Sequence, residues 1–304
     1  MFGAVRKEIA QAITLLAEKD PQSVERALEL LQGTVFSFSM KVCGQREDAE
    51  DTMQEVLVKS LPYLPKFDSP RALLVWLYKV AKNRCLLSRR LSKFAPKREL
   101  SLEELMPDRQ ELERLAAAGP LNPESLAIRS QQARHLRDAI QKLPPQYRII
   151  LVMRDMEGLT DEEVGEITGL RPGTVRVRLH RARLFVRKNL VDLAATRKHQ
   201  RNAAAASLKK SSTVSQKRPR SCKAMFAELS NYLDEQLDDS QCERLEEHLE
   251  DCETCKLFLA SLETTILQLR NMPSESLNKA AVAELRRKLL ASQSALLTMG
   301  NNSR

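Results

Sequence analysis

Between Thr160 and Lys188 the chain specifies two helices and the turn that joins them. Thr160-Asp161-Glu162-Glu163 is a capping box: the hydroxyl caps free amides at a helix start while Glu163 reaches back. The helix it opens carries Val164 and Ile167 and stops at Gly169, the residue that takes the left-handed conformation of a tight turn without strain. Pro172 suits the first turn of the next helix, where no amide donor is missed. There Val175, Leu179, Ala182 and Val186 form one apolar stripe. The rest of the surface is basic, with Arg176, Arg178, Arg181, Arg183, Arg187 and Lys188, and His180 among them. Arg171 to Lys188 holds seven Lys or Arg and no acid. A packing stripe opposed by guanidinium groups lets a helix enter a major groove while anchored to its partner. The bland alternative is a solvated surface helix, and the unbroken basic excess argues against it.

The remaining text is helical too. Only 9 Gly and 13 Pro occur in 304 residues, aromatics make up 4%, and Leu, Ala, Glu, Arg and Lys dominate long stretches, so the expected fold is all-α. A first block, 23–91, repeats Ala27, Leu28, Leu31, Val35 and Phe38, then Met53, Val56, Leu57 and Leu61, then Leu73, Leu74, Leu77, Val80 and Ala81. An extension, 1–22, precedes it. Polar, proline-containing text over 92–122 predicts a linker with one weak helix. The helix-turn-helix belongs to a second block, 123–194. A basic tether follows over 195–220, with eight Lys or Arg and no acid. From Cys222 to Cys255 the charge inverts, to 11 acids against two bases. That stretch begins a small module, 221–270, and a helical tail, 271–304, with an amphipathic helix over 279–297, completes the chain. No run is long enough to span a membrane and no signal peptide opens the chain, which predicts a cytoplasmic protein.

The second block resembles region 4 of sigma factors. The likeness rests on Leu143-Pro144-Pro145-Gln146-Tyr147-Arg148, on Glu157-Gly158-Leu159-Thr160, and on the run from Gly173 to Arg183. It implies that Arg171, Thr174, Arg176, Val177, Arg178, His180 and Arg181 read a −35 promoter element. The first block resembles region 2. Gln45 to Val56 is similar to the acidic stretch that grips core RNA polymerase, which implies that role for Asp48, Asp51, Gln54 and Glu55. Asp48, Asp51 and Glu55 fall at i, i+3 and i+7, on one face. Trp76 to Arg84, closed by Arg89-Arg90, looks like the −10 helix of the family. Promoter opening takes bases out of the stack, and that needs pockets and backbone cations. The likeness implies that Phe67, Asp68, Ser69 and Arg71 pocket a flipped base, and that Lys79, Lys82, Asn83 and Arg84 supply polar contacts. Trp76 itself is expected to be a core aromatic.

His248-x3-Cys252-x2-Cys255 has metal-ligand spacing, and a closed tetrahedral zinc site needs a fourth ligand. Ser240-Gln241-Cys242-Glu243 reads as a capping box that places Cys242 in the first turn of the helix carrying His248. Six helical residues then separate the two side chains by about 120° and about 9 Å, too far to share one ion. Cys222 is therefore the expected fourth ligand. The pattern, with Tyr232-Leu233-Asp234 and Leu245 to Leu249, resembles the zinc-binding anti-sigma domain. Cys43 and Cys85 are expected to serve packing only, since a disulfide framework is foreign to a reducing compartment.

The chain thus resembles an extracytoplasmic-function sigma factor with a fused anti-sigma-like module. The implied partners are core RNA polymerase, promoter DNA and, within the chain, the zinc module docked on the sigma regions through its acidic charge. No nucleophile–base set, phosphate loop or paired-acid arrangement stands out, so no enzymatic activity is expected. A helix-turn-helix regulator with a zinc-binding sensor or adaptor domain is the other reading.

Overall fold

The structure, a computed structural model, describes residues 2–18, 20–90, 99–107, 111, 126–202, 220–273, 277, 282–284 and 287. Every regular element among them is helical, as the periodicity predicts. In order they are α1 (Phe2–Ala17), α2 (Pro21–Cys43), α3 (Arg46–Ser60), a 3-10 turn (Leu64–Lys66), α4 (Pro70–Arg90), α5 (Leu102–Leu105), α6 (Leu126–Lys142) and α7 (Pro145–Leu151). A π turn (Val152–Met156) continues α7. There follow α8 (Asp161–Thr168), α9 (Pro172–Asn202), α10 (Arg220–Leu233), α11 (Asp239–Asp251) and α12 (Glu253–Arg270). The chain forms two compact units, one of Met1–Lys97, Arg148–Pro172 and Met272–Arg304, the other of Arg98–Tyr147 and Gly173–Asn271.

The first unit is a bundle of α1 to α4 with α8 on α4. Asp20 caps α2 by accepting from the Gln22 and Ser23 amides, and Pro21 occupies its first turn. Gly44, at φ 80°, ends it. The apolar faces read in the sequence meet here: Leu28, Leu31, Val35, Met53, Leu57, Leu73 and Leu77 are buried, and Phe38 stacks on Tyr78 with centroids 4.4 Å apart. The sequence reading begins the first block at Ser23. The helix starts at Pro21, and α1 packs on it, burying Ile9 and Ala12.

Cys43 and Cys85 correct the sequence reading. They are joined by a disulfide. The end of α2 and the last third of α4 hold the two Cα atoms 5.7 Å apart, inside the range such a bridge requires. Forty-two residues separate them in sequence, so spacing gave no sign of the pair.

In the second unit α10, α11 and α12 pack against one another, with Phe226, Leu229, Leu245, Phe258, Leu262 and Ile266 buried. Phe226 and Phe258 meet edge to face at 4.6 Å. The weak helix expected in the linker is α5. Helix α9 runs to Asn202, past the expected end of its block, so the start of the basic tether is helical. Asp238 caps α11, with Gln241 completing the box, which corrects the expected cap at Ser240. An Asp at the N-cap and a Gln three residues on satisfy the same donors two positions earlier. Of the amphipathic helix expected over 279–297, residues 282–284 and 287 are helical and the rest lies outside the described residues.

Candidate nucleic-acid interface and metal centre

The helix-turn-helix forms as its residues dictate. The Thr160 hydroxyl accepts from the Glu163 amide at 3.2 Å, and the Glu163 carboxylate accepts from the Thr160 amide at 2.8 Å. Gly169 sits at φ 76°. Sequence reading passed over Gly165, whose absent side chain is what lets the turn close. A Cβ there would stand 2.7 Å from the Leu170 carbonyl oxygen.

On α9 the stripe Val175, Leu179, Ala182 and Val186 is buried. Arg171, Thr174 and Val177 are exposed, and Arg176, Arg178 and Arg181 half-buried, so six of the seven expected −35 residues lie on an accessible front surface. His180 does not. It is buried, with Nδ1 2.7 Å from the Ser230 hydroxyl of α10. Burial, with the Arg183 and Arg181 charges beside it, pushes its pKa down to about 4, so the ring is neutral at pH 7.

Two arginines that the charge count placed with the DNA-facing set are fully buried as well. Arg183 donates two hydrogen bonds to the Asp234 carboxylate, at 2.7 and 2.9 Å. The fork-to-fork match is the strong form of this pair. Arg270 closes on the same carboxylate at 3.7 Å. The Arg187 guanidinium lies 4.0 Å from the centroid of the Phe258 ring on α12. The C-terminal module therefore sits on the back half of α9, and the front turns are left open. A signal for this exists in the sequence: Val175, Leu179, Arg183 and Arg187 continue one i, i+4 ridge, which changes from apolar to cationic where acidic Asp234 meets it.

The first unit places Lys79, Lys82 and Asn83 on one face of α4, with the Phe67–Arg71 loop before it, and turns Arg84 toward α3. Phe67 and Tyr63 flank half-buried Trp76, with ring centroids 5.9 and 5.7 Å away. Asp68, Arg71, Lys79 and Asn83 are exposed. Ser69 is half-buried, its hydroxyl accepting from the Ala72 amide at 3.5 Å. Two of the cations are engaged by α8: Arg71 bonds Glu166 at 3.1 Å, and Lys82 donates to the Ile167 carbonyl at 2.7 Å. Desolvation, then the neighbouring Lys79 charge, lowers the Lys82 pKa. Arg84 pairs with Glu55 at 2.5 Å. Of the expected polymerase-facing residues, Asp51 is exposed and Asp48 and Glu55 half-buried. Gln54 is buried at 8% exposure, because it turns onto the bundle side of α3.

The π turn re-aims the chain at Glu157, whose amide donates to the Val152 carbonyl five residues back at 2.9 Å. Buried Glu157 accepts from Lys41 at 2.5 Å and from the Tyr78 hydroxyl at 2.7 Å. Burial, then the Glu157 charge, raises the Tyr78 pKa well above its ordinary value, which keeps that hydroxyl a donor. Arg148 donates to the Val42 carbonyl at 2.9 Å. Together these buried polar contacts join residues 148–172 to α2 and α4.

His248, Cys252 and Cys255 bring one ligand atom each to within 4.8 Å of one another, with His248 Nε2 3.2 Å from Cys255 Sγ. Tetrahedral zinc asks for ligand atoms roughly 3.3 to 3.8 Å apart, from bonds of about 2.0 to 2.3 Å. The donor set and its spacing fit that ion. His248 lies near the end of α11, Cys252 between the helices and Cys255 in the first turn of α12, as the spacing predicts. Cys222 lies in the first turn of α10. Its side chain is outside the described residues. Desolvation, then Glu246, Asp239 and Asp238, holds the Cys242 thiol above its ordinary pKa, and a protonated thiol is a poor ligand.

Comparison with known proteins agrees with this layout. The sigma-70 region 2 family matches residues 28–93, the sigma-70 region 4 family residues 133–186, and a zinc-finger family residues 222–256. The ECF RNA polymerase sigma factor ShbA of Streptomyces griseus is 33% identical over 188 residues, 59% of this chain and 95% of that protein. The chain belongs to the ECF RNA polymerase sigma factors. SigW of Bacillus subtilis is 27% identical over 185 residues, 61% of this sigma factor and 98% of its relative. SigE of Mycolicibacterium smegmatis is 32% identical over 157 residues, 51% of this chain and 57% of that one. No described helix of the sigma factor is long and apolar enough to cross a membrane.

Proposed function

We propose that this sigma factor binds core RNA polymerase, reads −10 and −35 promoter elements, and restrains itself by docking its C-terminal module on its own recognition helix. The −35 contacts fall to Arg171, Thr174, Arg176, Val177, Arg178 and Arg181, and to His180 once it is uncovered. The −10 contacts fall to the Phe67–Arg71 loop with Lys79, Lys82, Asn83 and Arg84. Asp48, Asp51 and Glu55 form the acidic face offered to polymerase, and Gln54 supports that face from beneath.

One observation carries the self-restraint: Arg183, a cation on the DNA-reading helix, is wholly buried in a two-bond pair with Asp234. A guanidinium so held offers nothing to a phosphate. Every phosphate left without its cation takes about 0.9 off the slope of log affinity against log salt. Removing one partner of such a buried pair costs about 3–5 kcal/mol, so the closed state depends on it. His248, Cys252, Cys255 and Cys222 hold one zinc ion, which ties α10, α11 and α12 together where their apolar core is small.

Two measurements test this. Purified protein should compete with another sigma factor for core polymerase, whereas a helix-turn-helix regulator would leave that complex intact. Zinc analysis should give one ion per chain, and Cys255→Ser should lose it; full zinc content in that variant would remove Cys255 from the site.

A further inference from the structure

The linker between the two sigma regions is held at several points. Leu100, Leu105 and Glu111 are buried at 3%, 4% and 3% exposure, all within the second unit. The Leu100 amide donates to the Tyr147 hydroxyl at 3.1 Å, and Lys188 donates to the Glu104 carbonyl at 2.6 Å. Arg187 forms a buried ion pair with Glu111. The same guanidinium, 1% exposed, donates to the Ser261 hydroxyl at 3.3 Å and lies over the Phe258 ring, which in turn meets Phe226. Arg187 thus touches the linker on one side and the C-terminal module on the other.

We infer that the C-terminal module also stows the linker, through Arg187, and so sets the slack between the two promoter-binding regions. This rests on the docking proposed above. While Phe258 and Ser261 cover the guanidinium, its attraction to Glu111 is shielded from water and strong. When the module leaves, the pair becomes an exposed one, which holds little. Loss of Glu111 in turn leaves a covered cation without that carboxylate, which weakens the module's seat. The two attachments therefore favour each other, and the coupling is reciprocal.

Slack matters because −10 and −35 elements lie about 25 base pairs apart, roughly 85 Å at 3.4 Å per step. Residues 91–125 reach at most roughly 120 Å when fully extended. Residues 91–98, the eight between α4 and the held stretch, reach at most roughly 28 Å when fully extended. Release of the module frees both the helix and the tether that lets it travel.

Amide hydrogen exchange on the full-length, zinc-loaded chain tests this with two variants. Asp234→Asn disturbs the module's seat and does not touch the linker; Glu111→Gln does the reverse. Each should speed exchange about tenfold in the segment it does not touch, residues 99–107 for the first and α12 for the second, with the first unit unchanged. If Glu111→Gln leaves α12 at the wild-type rate, whether or not 99–107 speeds up, the coupling is wrong. An Asp234→Asn chain whose α10 exchanges as slowly as wild type speaks against the docking reading itself, and the Glu111→Gln arm still decides the coupling.

Discussion

Single residues decide where the C-terminal module meets α9. Arg183, Arg187 and His180 are basic residues on a DNA-reading helix, and composition treats them like their neighbours. Their burial separates them: the front of α9 is open and these three are covered. Gly165 decides the turn. Its carbonyl accepts from the Gly169 and Leu170 amides at 2.8 and 3.1 Å, so the backbone that a Cβ would strike has no room to retreat. Gly165→Ala should destabilise the helix-turn-helix by about 1–3 kcal/mol, read as a lower denaturation midpoint. An unchanged midpoint would show that the turn relaxes. The capping pair Thr160–Glu163, Gly169 and Pro172 were legible because their rules are local. Glu157 and the cysteine pair were not, because their partners come from other elements, and Gly165 was not, because the close approach of the Leu170 carbonyl shows only in the folded turn.

Helices were easier to read than their roles. Period marked the buried faces of α2, α3 and α4, and caps located α8 and the start of α9, while α9 runs eight residues past the expected end of its block. The start of α11 was missed by two residues, since Asp238 and Ser240 both offer a capping oxygen and only the backbone chooses. Of the candidate site, the His-Cys-Cys spacing and the basic helix were plain in the sequence. Which face of α9 serves DNA and which serves the module was not, because both faces are cationic. The contact between α9 and α10 carries its own pH signature. Undocked, His180 titrates near 6.5; docked, near 4, since burial and the Arg183 and Arg181 charges disfavour the imidazolium. The ring binds a proton more readily in the open state, so docking is intact above pH 6.5 and weakens as pH falls toward 4. The full effect is about 3 kcal/mol. Unfolding midpoints followed over that window should show a fall in wild type that His180→Asn lacks; parallel curves for the two would refute it.

At the scale of the whole molecule, the boundaries read in sequence and the compact units differ. Region 4 is continuous in sequence, yet residues 148–172 join α2 and α4 through Glu157 and Arg148, while the rest of it shares a unit with the zinc module. The module's acidic charge on a basic tether suggests docking in cis, and the Arg183–Asp234 pair joins α9 to α10 at a single defined point. The most direct test is promoter-dependent run-off transcription with core polymerase. It compares the full-length chain, a chain ending before Arg220, and full-length Asp234→Ala. Both altered proteins should exceed the intact chain severalfold, and equal or lower activity from the truncated protein would contradict self-restraint by the C-terminal module.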